Sequence, residues 1–206
     1  MVLIDTLFII AVIIFSVIIH EVMHGVAADS LGDPTARYAG RLTLNPIPHL
    51  DMFGSIILPI LCALAPGGFL FGWAKPVPYN PYNLFRAPRW GEAIVAAAGP
   101  ASNLALALLG GLLIRLQLFP DIAGVLMYIV AINISLMVLN LIPVPPLDGS
   151  KILSSILPKS LGYDALRDRM EQNPFLGFGI VLLIIIVFGS AFGNLVFGIA
   201  RAISGL

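Results

Sequence analysis

The chain has 206 residues, of which 59% are hydrophobic and 11% are charged, and its 11 basic and 11 acidic residues give a formal net charge of zero. Soluble domains carry about 25% charged residues, so this composition excludes an ordinary water-soluble fold. It predicts one integral membrane domain over residues 1–206. The zero net charge, without any run of basic residues, argues against nucleic acid as a partner.

Four apolar stretches are long enough to cross the ~30 Å hydrocarbon layer of a bilayer, which takes about 20 helical residues. In chain order they are Leu3–Ala28, Ala93–Leu118, Ile122–Ile142 and Phe175–Ala200. A fifth stretch, Met52–Gly72, is interrupted by prolines and glycines, which favours a re-entrant or broken element over a plain fifth span. The expected fold is therefore an all-α polytopic membrane protein with four to six transmembrane helices.

Two polar segments complete the predicted architecture. The proline-rich segment Trp73–Asn83 favours a short extended or β segment near the cytoplasmic face. Residues Ser160–Gln172 are compatible with a short surface helix that ends before Pro174. The last span, about 175–200, is either one tilted helix or a helical hairpin.

The basic residues predict the orientation in the membrane. Nine of the eleven lie in three polar segments, at Arg37, Arg41, Lys75, Arg86, Arg89, Lys151, Lys159, Arg167 and Arg169. If Met52–Gly72 does not cross the bilayer, all nine lie on one face, which the positive-inside rule makes cytoplasmic. We therefore expect a multi-pass protein of a prokaryotic plasma membrane, with the N-terminus outside. Five plain spans are the alternative.

The stretch His20-Glu21-Val22-Met23-His24 lies inside the first apolar segment, where ionisable side chains are costly. On a helix, His20 and His24 project from the same face and can bind one Zn²⁺, with Glu21 beside them as a general base. The alternative is a pair of buried histidines that only form hydrogen bonds within a helix bundle. Both histidines are nevertheless expected to be metal ligands, since the cost of placing them in lipid needs a reason.

A catalytic zinc site needs a third protein ligand and keeps a fourth position open for water. Asp148 is the favoured carboxylate, because it follows the proline-stiffened end of the third span. In the four-span topology the first and third spans both run toward the cytoplasm, so Asp148 approaches the histidines. A plain helix-end aspartate is the alternative for Asp148. His49, in a proline-flanked loop, is expected to gate or support the site rather than to bind the metal.

Two asparagines in membrane spans are candidates for a catalytic hydrogen-bond donor. Asn103 and Asn140 each carry an uncharged amide that can donate to the oxyanion of peptide-bond hydrolysis. Asn103 ranks slightly ahead, because it lies just inside the helix that Gly99-Pro100 opens. Interhelical hydrogen bonding is the alternative role for each.

Three motifs together resemble the site-2 protease family of intramembrane zinc metalloproteases. They are HEVMH (20–24), AGPASN (98–103) and NLIPVPPLDG (140–149), and they span most of the chain. The Asn45-Pro46 pair with His49 and Gly54, together with GWAKPVP (72–78), resembles a compact bacterial and archaeal branch of that family. No PDZ-like or CBS-like segment is recognisable in this sequence.

The resemblance implies one zinc ion per chain with His20, His24 and Asp148 as ligands, and Glu21 as the catalytic acid and base. It also implies a zinc metalloendopeptidase that cleaves within the transmembrane helix of a membrane-protein substrate, as in regulated intramembrane proteolysis. The alternatives are a divalent-metal transporter or sensor, or a catalytically silent scaffold, with the same ligand set. A transporter has no evident need for a base at Glu21, which favours the protease.

Overall fold

A computed structural model describes residues 2–57, 73–158 and 162–205. Seven α-helices occur in these residues: α1 (Val2–Leu31), α2 (Thr35–Tyr38), α3 (Gly91–Arg115), α4 (Ala123–Asn140), α5 (Asp148–Ile156), α6 (Tyr163–Gln172) and α7 (Pro174–Ser204). Single 3₁₀ turns occur at Ile47–His49, Pro81–Asn83 and Pro120–Ile122, and a π-helical turn at Met52–Ile57. The described residues contain no β-strand. The all-α class is therefore as predicted.

Four of the helical segments are long and apolar enough to cross a membrane. They are Thr6–Leu31, Gly91–Arg115, Pro120–Asn140 and Leu176–Ser204, within a few residues of the four predicted spans. Large apolar side chains such as Leu108, Leu183 and Ile186 are exposed on their outer surfaces. Exposure on this scale fits lipid rather than water as the surrounding solvent. The chain is an integral membrane protein.

The four long helices pack with alternating direction. The His24 ring contacts the start of α3 at Val95, and Arg115 at the end of α3 donates to carbonyls at the end of α7. Helices α1 and α4 thus run toward one end of the bundle, and α3 and α7 run away from it. The core that α3, α4 and α7 share consists of Ala107, Ile114, Leu126, Val130, Ile134, Val196 and Ala200.

The shorter helices differ in how well the sequence predicted them. Helix α6 falls within the predicted Ser160–Gln172, of which residues 160 and 161 lie outside the described part of the chain. The last span forms one helix, α7, rather than a hairpin. Helix α5 was not predicted, because the three prolines just before Asp148 suggested an extended path. All three prolines precede the first residue of the helix, so they do not prevent it from forming.

The proline-rich segment predicted as extended or β forms no strand. Residues 73–80 have no regular secondary structure, and a 3₁₀ turn follows. Its backbone hydrogen bonds go largely to side chains: Val77 N–H donates to Glu21, and the Lys75 carbonyl accepts from Arg41. Prolines at 76, 78 and 81 also remove the donors that a strand ladder needs. The segment is held in place by the helices rather than by a sheet.

The predicted re-entrant element Met52–Gly72 falls mainly outside the described residues, since 58–72 are not described. The described residues that flank 58–72 in the chain lie close together. Trp73 N–H donates to the Gly54 carbonyl at 3.1 Å, and Lys75 N–H donates to the His49 carbonyl at 2.9 Å. The chain therefore leaves and rejoins the described structure at the same end of the bundle.

Asp33 ties this segment to the end of α1. The carboxylate is fully buried and accepts hydrogen bonds from Asn80 N–H at 2.6 Å, Asn83 Nδ2 at 3.0 Å and Thr35 Oγ at 2.5 Å. Burial raises the pKa of the Asp33 carboxyl, but these hydrogen bonds lower it further than burial raises it. The ionised form is therefore the one that the fold stabilises.

Replacing Asp33 with asparagine is expected to lower the free energy of unfolding by about 1.5–3 kcal/mol at pH 7, because hydrogen bonds to a charged group are lost. The lowered pKa means that the carboxylate contributes fully above its unfolded-state pKa, and that the contribution disappears as the pH falls through the folded-state pKa. The free energies of unfolding of the wild type and of Asp33→Asn, measured in detergent from pH 7 downward, should converge as the pH falls. The control is Asp29→Asn, which removes a partner of exposed Arg37 and should cost less than about 1 kcal/mol. Equal losses in both variants would contradict the role of Asp33.

Candidate metal centre

The two histidines of α1 are buried, and hydrogen bonds to α3 orient their rings. The His20 Nδ1–H donates to the Asn103 side-chain oxygen at 2.6 Å, and the His24 Nδ1–H donates to the Val95 carbonyl at 2.7 Å. Since both partners accept a hydrogen bond from Nδ1, the neutral rings carry no proton on Nε2. Both Nε2 lone pairs are therefore free to face the site.

Those lone pairs meet a carboxylate. Asp148, the first residue of α5, places its Oδ2 at 3.1 Å from His20 Nε2 and 3.3 Å from His24 Nε2. Three electron-pair donors converge at this point. Such a set calls for a cation between them, and two imidazoles with one carboxylate fit the ligand chemistry of Zn²⁺.

Glu21 lies beside this set, with its carboxylate anchored by the backbone. Its Oε2 accepts a hydrogen bond from Val77 N–H at 2.9 Å, and one carboxylate oxygen lies within 4.8 Å of donor atoms of both histidines. Buried Arg41 in turn donates to the Lys75 carbonyl at 2.6 Å and to the Pro76 carbonyl at 3.3 Å. Arg41 thus positions the backbone that positions Glu21.

Asn103 lies behind the His20 ring rather than between the ligands. Its oxygen accepts from His20, and its Nδ2 donates to Asn133 Oδ1 at 2.9 Å, with the Ser16 carbonyl at 3.4 Å. Asn133 also donates to the Ser16 hydroxyl at 3.0 Å, which links α1, α3 and α4. The side-chain amide therefore fits the interhelical alternative. The expected oxyanion contact would require Nδ2 to leave both of its partners.

A cavity of about 110 Å³ opens beside the donor atoms. Asn140 lines this cavity, and its Nδ2 donates to the Leu136 carbonyl of its own helix at 2.9 Å. His49 is not among the described residues that line the cavity. It is buried, its Nε2 donates to the Thr43 carbonyl, and its backbone helps to hold Lys75. His49 thus lies outside the cavity, and its backbone contacts the segment that holds Glu21.

Three neighbours of the site were not among the predicted site residues. Lys151 and Tyr79 both line the cavity, and the Lys151 ammonium lies 5.3 Å from the centre of the Tyr79 ring. Burial lowers the pKa of Lys151, but Tyr79 and the carboxylates of Asp148, Glu171 and Glu21 raise it further than burial lowers it, so the residue stays cationic. The spacing of Lys151, one turn after Asp148, was the available signal, but it depended on a helix that was not predicted.

Gly99 is the third neighbour, and it lets α3 approach both imidazoles. A Cβ at this position would lie 2.5 Å from His20 Nε2 and 2.6 Å from His24 Cε1, closer than carbon atoms pack. The sequence contains Gly99 in its AGPASN motif, but only the helix packing explains why no larger residue fits.

Replacing Asn103 with alanine is expected to weaken zinc binding by about 10- to 100-fold, because the His20 ring loses the hydrogen bond that orients it. Zinc affinity can be measured by competition with a chromophoric chelator in detergent. The control is Ser102→Ala, since the partner of the Ser102 hydroxyl among the described residues is the Gly99 carbonyl of its own helix. An unchanged affinity in Asn103→Ala would show that the ring is oriented without the amide.

Comparison with known proteins gives one family and several relatives. The family model described as "Peptidase family M50" matches residues 116–186. "Putative zinc metalloprotease YwhC" of Bacillus subtilis is 37% identical over 190 residues, which cover 87% of this chain and 80% of that protein.

Two mycobacterial proteins named "Putative zinc metalloprotease Rip2" are also similar. The protein of Mycolicibacterium smegmatis is 34% identical over 66% of this chain and 52% of its own length. The protein of Mycobacterium tuberculosis is 30% identical over 89% of this chain and 68% of its own length. No solved structure matches the chain.

Proposed function

The chain belongs to peptidase family M50, the site-2 protease family, and from this premise we propose that it hydrolyses a peptide bond within or near a transmembrane segment of a membrane-protein substrate. The family makes it a zinc metallopeptidase. The observation that carries the proposal is the convergence of the His20 and His24 Nε2 atoms on the Asp148 carboxylate, with Glu21 alongside. All of this chemistry lies among helices that span the membrane.

Under this proposal, His20, His24 and Asp148 hold one zinc ion per chain. When bound there, zinc supplies Lewis-acid chemistry: it acidifies a water molecule and polarises the scissile carbonyl. Asp148 is assigned as the ligand, since its oxygen faces both Nε2 atoms. Glu21 is assigned as the acid and base, since Val77 N–H holds its carboxylate. Asn103 is assigned a positioning role behind His20.

The reaction consumes one water molecule. The Glu21 carboxylate takes a proton from the water as the water oxygen bonds to the carbonyl carbon of the substrate. The carbon–nitrogen bond then breaks, and Glu21 delivers its proton to the leaving nitrogen. The products are a carboxylate and an ammonium terminus. Asn140 donates an N–H to the carbonyl oxygen as negative charge develops on it.

The orientation of the site is part of the proposal. Arg41, Arg86 and Lys151 lie at the end of the bundle that carries the metal site, whereas Arg115 bonds to the end of α7 at the opposite end. By the positive-inside rule, the site faces the cytoplasm and the N-terminus lies outside. The proposed role is regulated intramembrane proteolysis in a prokaryotic plasma membrane, carried out by one protease domain over 1–206 whose core motifs span 20–149.

Removal of the metal tests the proposed function. The purified protein in detergent or liposomes should cleave membrane-anchored model substrates, lose that activity on treatment with a strong chelator, and regain it when zinc is restored. Metal analysis should give one zinc per chain. Cleavage that persists without metal would contradict the proposal, and zinc flux across vesicles without cleavage would favour transport instead.

A further inference from the structure

Lys151 occupies a distinctive position in the metal cavity. It follows Asp148 by three residues in α5, so the two side chains lie on the same face of that helix. It lines the cavity together with Glu21 and Asn140, and it is the one Lys or Arg among the described residues that do so. The helix that supplies the third donor oxygen therefore also supplies a cation.

The charge of Lys151 changes the balance of the cavity. Glu21 and Asp148 bring two negative charges, Lys151 brings one positive charge, and the neutral histidines bring none. A zinc dication then leaves the cavity with a net charge of +1, whereas without Lys151 the net charge would be zero. A net positive cavity favours a reacting group that becomes negative.

The ammonium is also available to a substrate. No carboxylate oxygen in the described part of the chain lies within 4.0 Å of Lys151 Nζ, which lies 5.3 Å from the centre of the Tyr79 ring. Lys151 is half-buried, and it lines the same cavity as that ring and the donor residues. A partly desolvated cation acts more strongly on a nearby charge than one in bulk water.

We propose that Lys151 is a catalytic residue whose ammonium stabilises the negative charge that develops on the scissile carbonyl oxygen. The proposal rests on the proposed function. Lys151 remains protonated throughout: it donates a hydrogen bond and transfers no proton, so that Glu21 alone carries the proton from water to the leaving nitrogen. The carbonyl oxygen of the bound peptide is neutral and becomes an anion only as water adds. The interaction therefore strengthens along the reaction and lowers its barrier.

The test compares Lys151→Met, which keeps the length of the side chain without its charge, with Lys151→Arg. In Lys151→Met, kcat should fall by about 10²–10³-fold while KM and the zinc content stay unchanged. Lys151→Arg should recover part of the rate. The matched control is Arg169→Gln, which removes a positive charge from an exposed position on α6 and should leave kcat unchanged.

A binding measurement separates charge recognition from structural damage. Two substrate-analogue peptides are used, one with an anionic phosphinate and one with a neutral ketomethylene in place of the scissile bond. Lys151→Met should weaken binding of the phosphinate peptide and leave binding of the ketomethylene peptide unchanged. Equally weakened binding of both analogues, or loss of zinc, would overturn the proposal. A raised KM at constant kcat would also overturn it, because it indicates that Lys151 binds an acidic side chain of the substrate instead. If the wild type cleaved no substrate, the proposed function would fail, whereas the two analogues would still test Lys151.

Discussion

Replacing Glu21 with glutamine is expected to lower kcat by about 10²–10⁴-fold while one zinc ion per chain remains bound. Glutamine keeps the size of the side chain, but its amide cannot take a proton from water. The ligand atoms of His20, His24 and Asp148 are untouched by the change, so the metal should stay. This pairing of lost turnover with retained metal is specific to a base that is not a ligand.

The measurement is cleavage of a transmembrane model substrate under single-turnover conditions, with metal analysis of the same samples. Glu92→Gln is the matched control, because Glu92 lies near the start of α3, pairs with Arg167 and does not line the metal cavity. Its kcat should be that of the wild type. Retained cleavage in Glu21→Gln would refute the assigned mechanism, and loss of zinc would make Glu21 a ligand.

Replacing Gly99 with alanine is expected to abolish zinc binding and cleavage together. The added Cβ would lie 2.5 Å from His20 Nε2, the atom that faces Asp148, and 2.6 Å from His24 Cε1. Because α3 is held by packing along its length, the rings rather than the helix must move. A displacement of about 1 Å is enough to break a coordination geometry whose distances vary by only about 0.2 Å.

Zinc content and thermal unfolding should be measured together for Gly99→Ala. The zinc content should fall to that of Asp148→Ala, while the helices stay folded. Gly189→Ala in α7 is the control, since a Cβ there meets no atom within 4 Å, and it should bind zinc normally. Full zinc occupancy in Gly99→Ala would show that the two imidazole rings do not lie against Gly99.

Much of the fold was predictable because its signals are local. Apolar length predicted four spans, and in the described part of the chain four long apolar helices occur within a few residues of them. The spacing of His20 and His24 predicted that both rings share one face, and α1 runs through both of them. Asp148 was favoured from its position after the third span, and its oxygen lies 3.1 Å from His20 Nε2.

Features that the sequence left open depend on contacts between distant parts of the chain. Asn103 had two candidate roles, and its contact with a ring 83 residues away favours the interhelical one. Trp73–Asn83 was expected to be extended or β; it forms no strand, and its partners are the side chains of Glu21, Asp33 and Arg41. No periodicity within the segment reveals partners that lie in another element.

The sequence by itself determined that lipid surrounds this protein, where four of its long helices lie, and the residue types of a zinc site. These follow from hydropathy and from helical spacing, which act over a few turns. Only the tertiary structure decided how the donor atoms of the metal site are arranged relative to one another. Packing of α1, α3 and α5 directs both Nε2 atoms at Asp148, requires a glycine at 99 and brings Lys151 into the cavity. The physical reason is that close packing and hydrogen-bond direction are properties of several helices together.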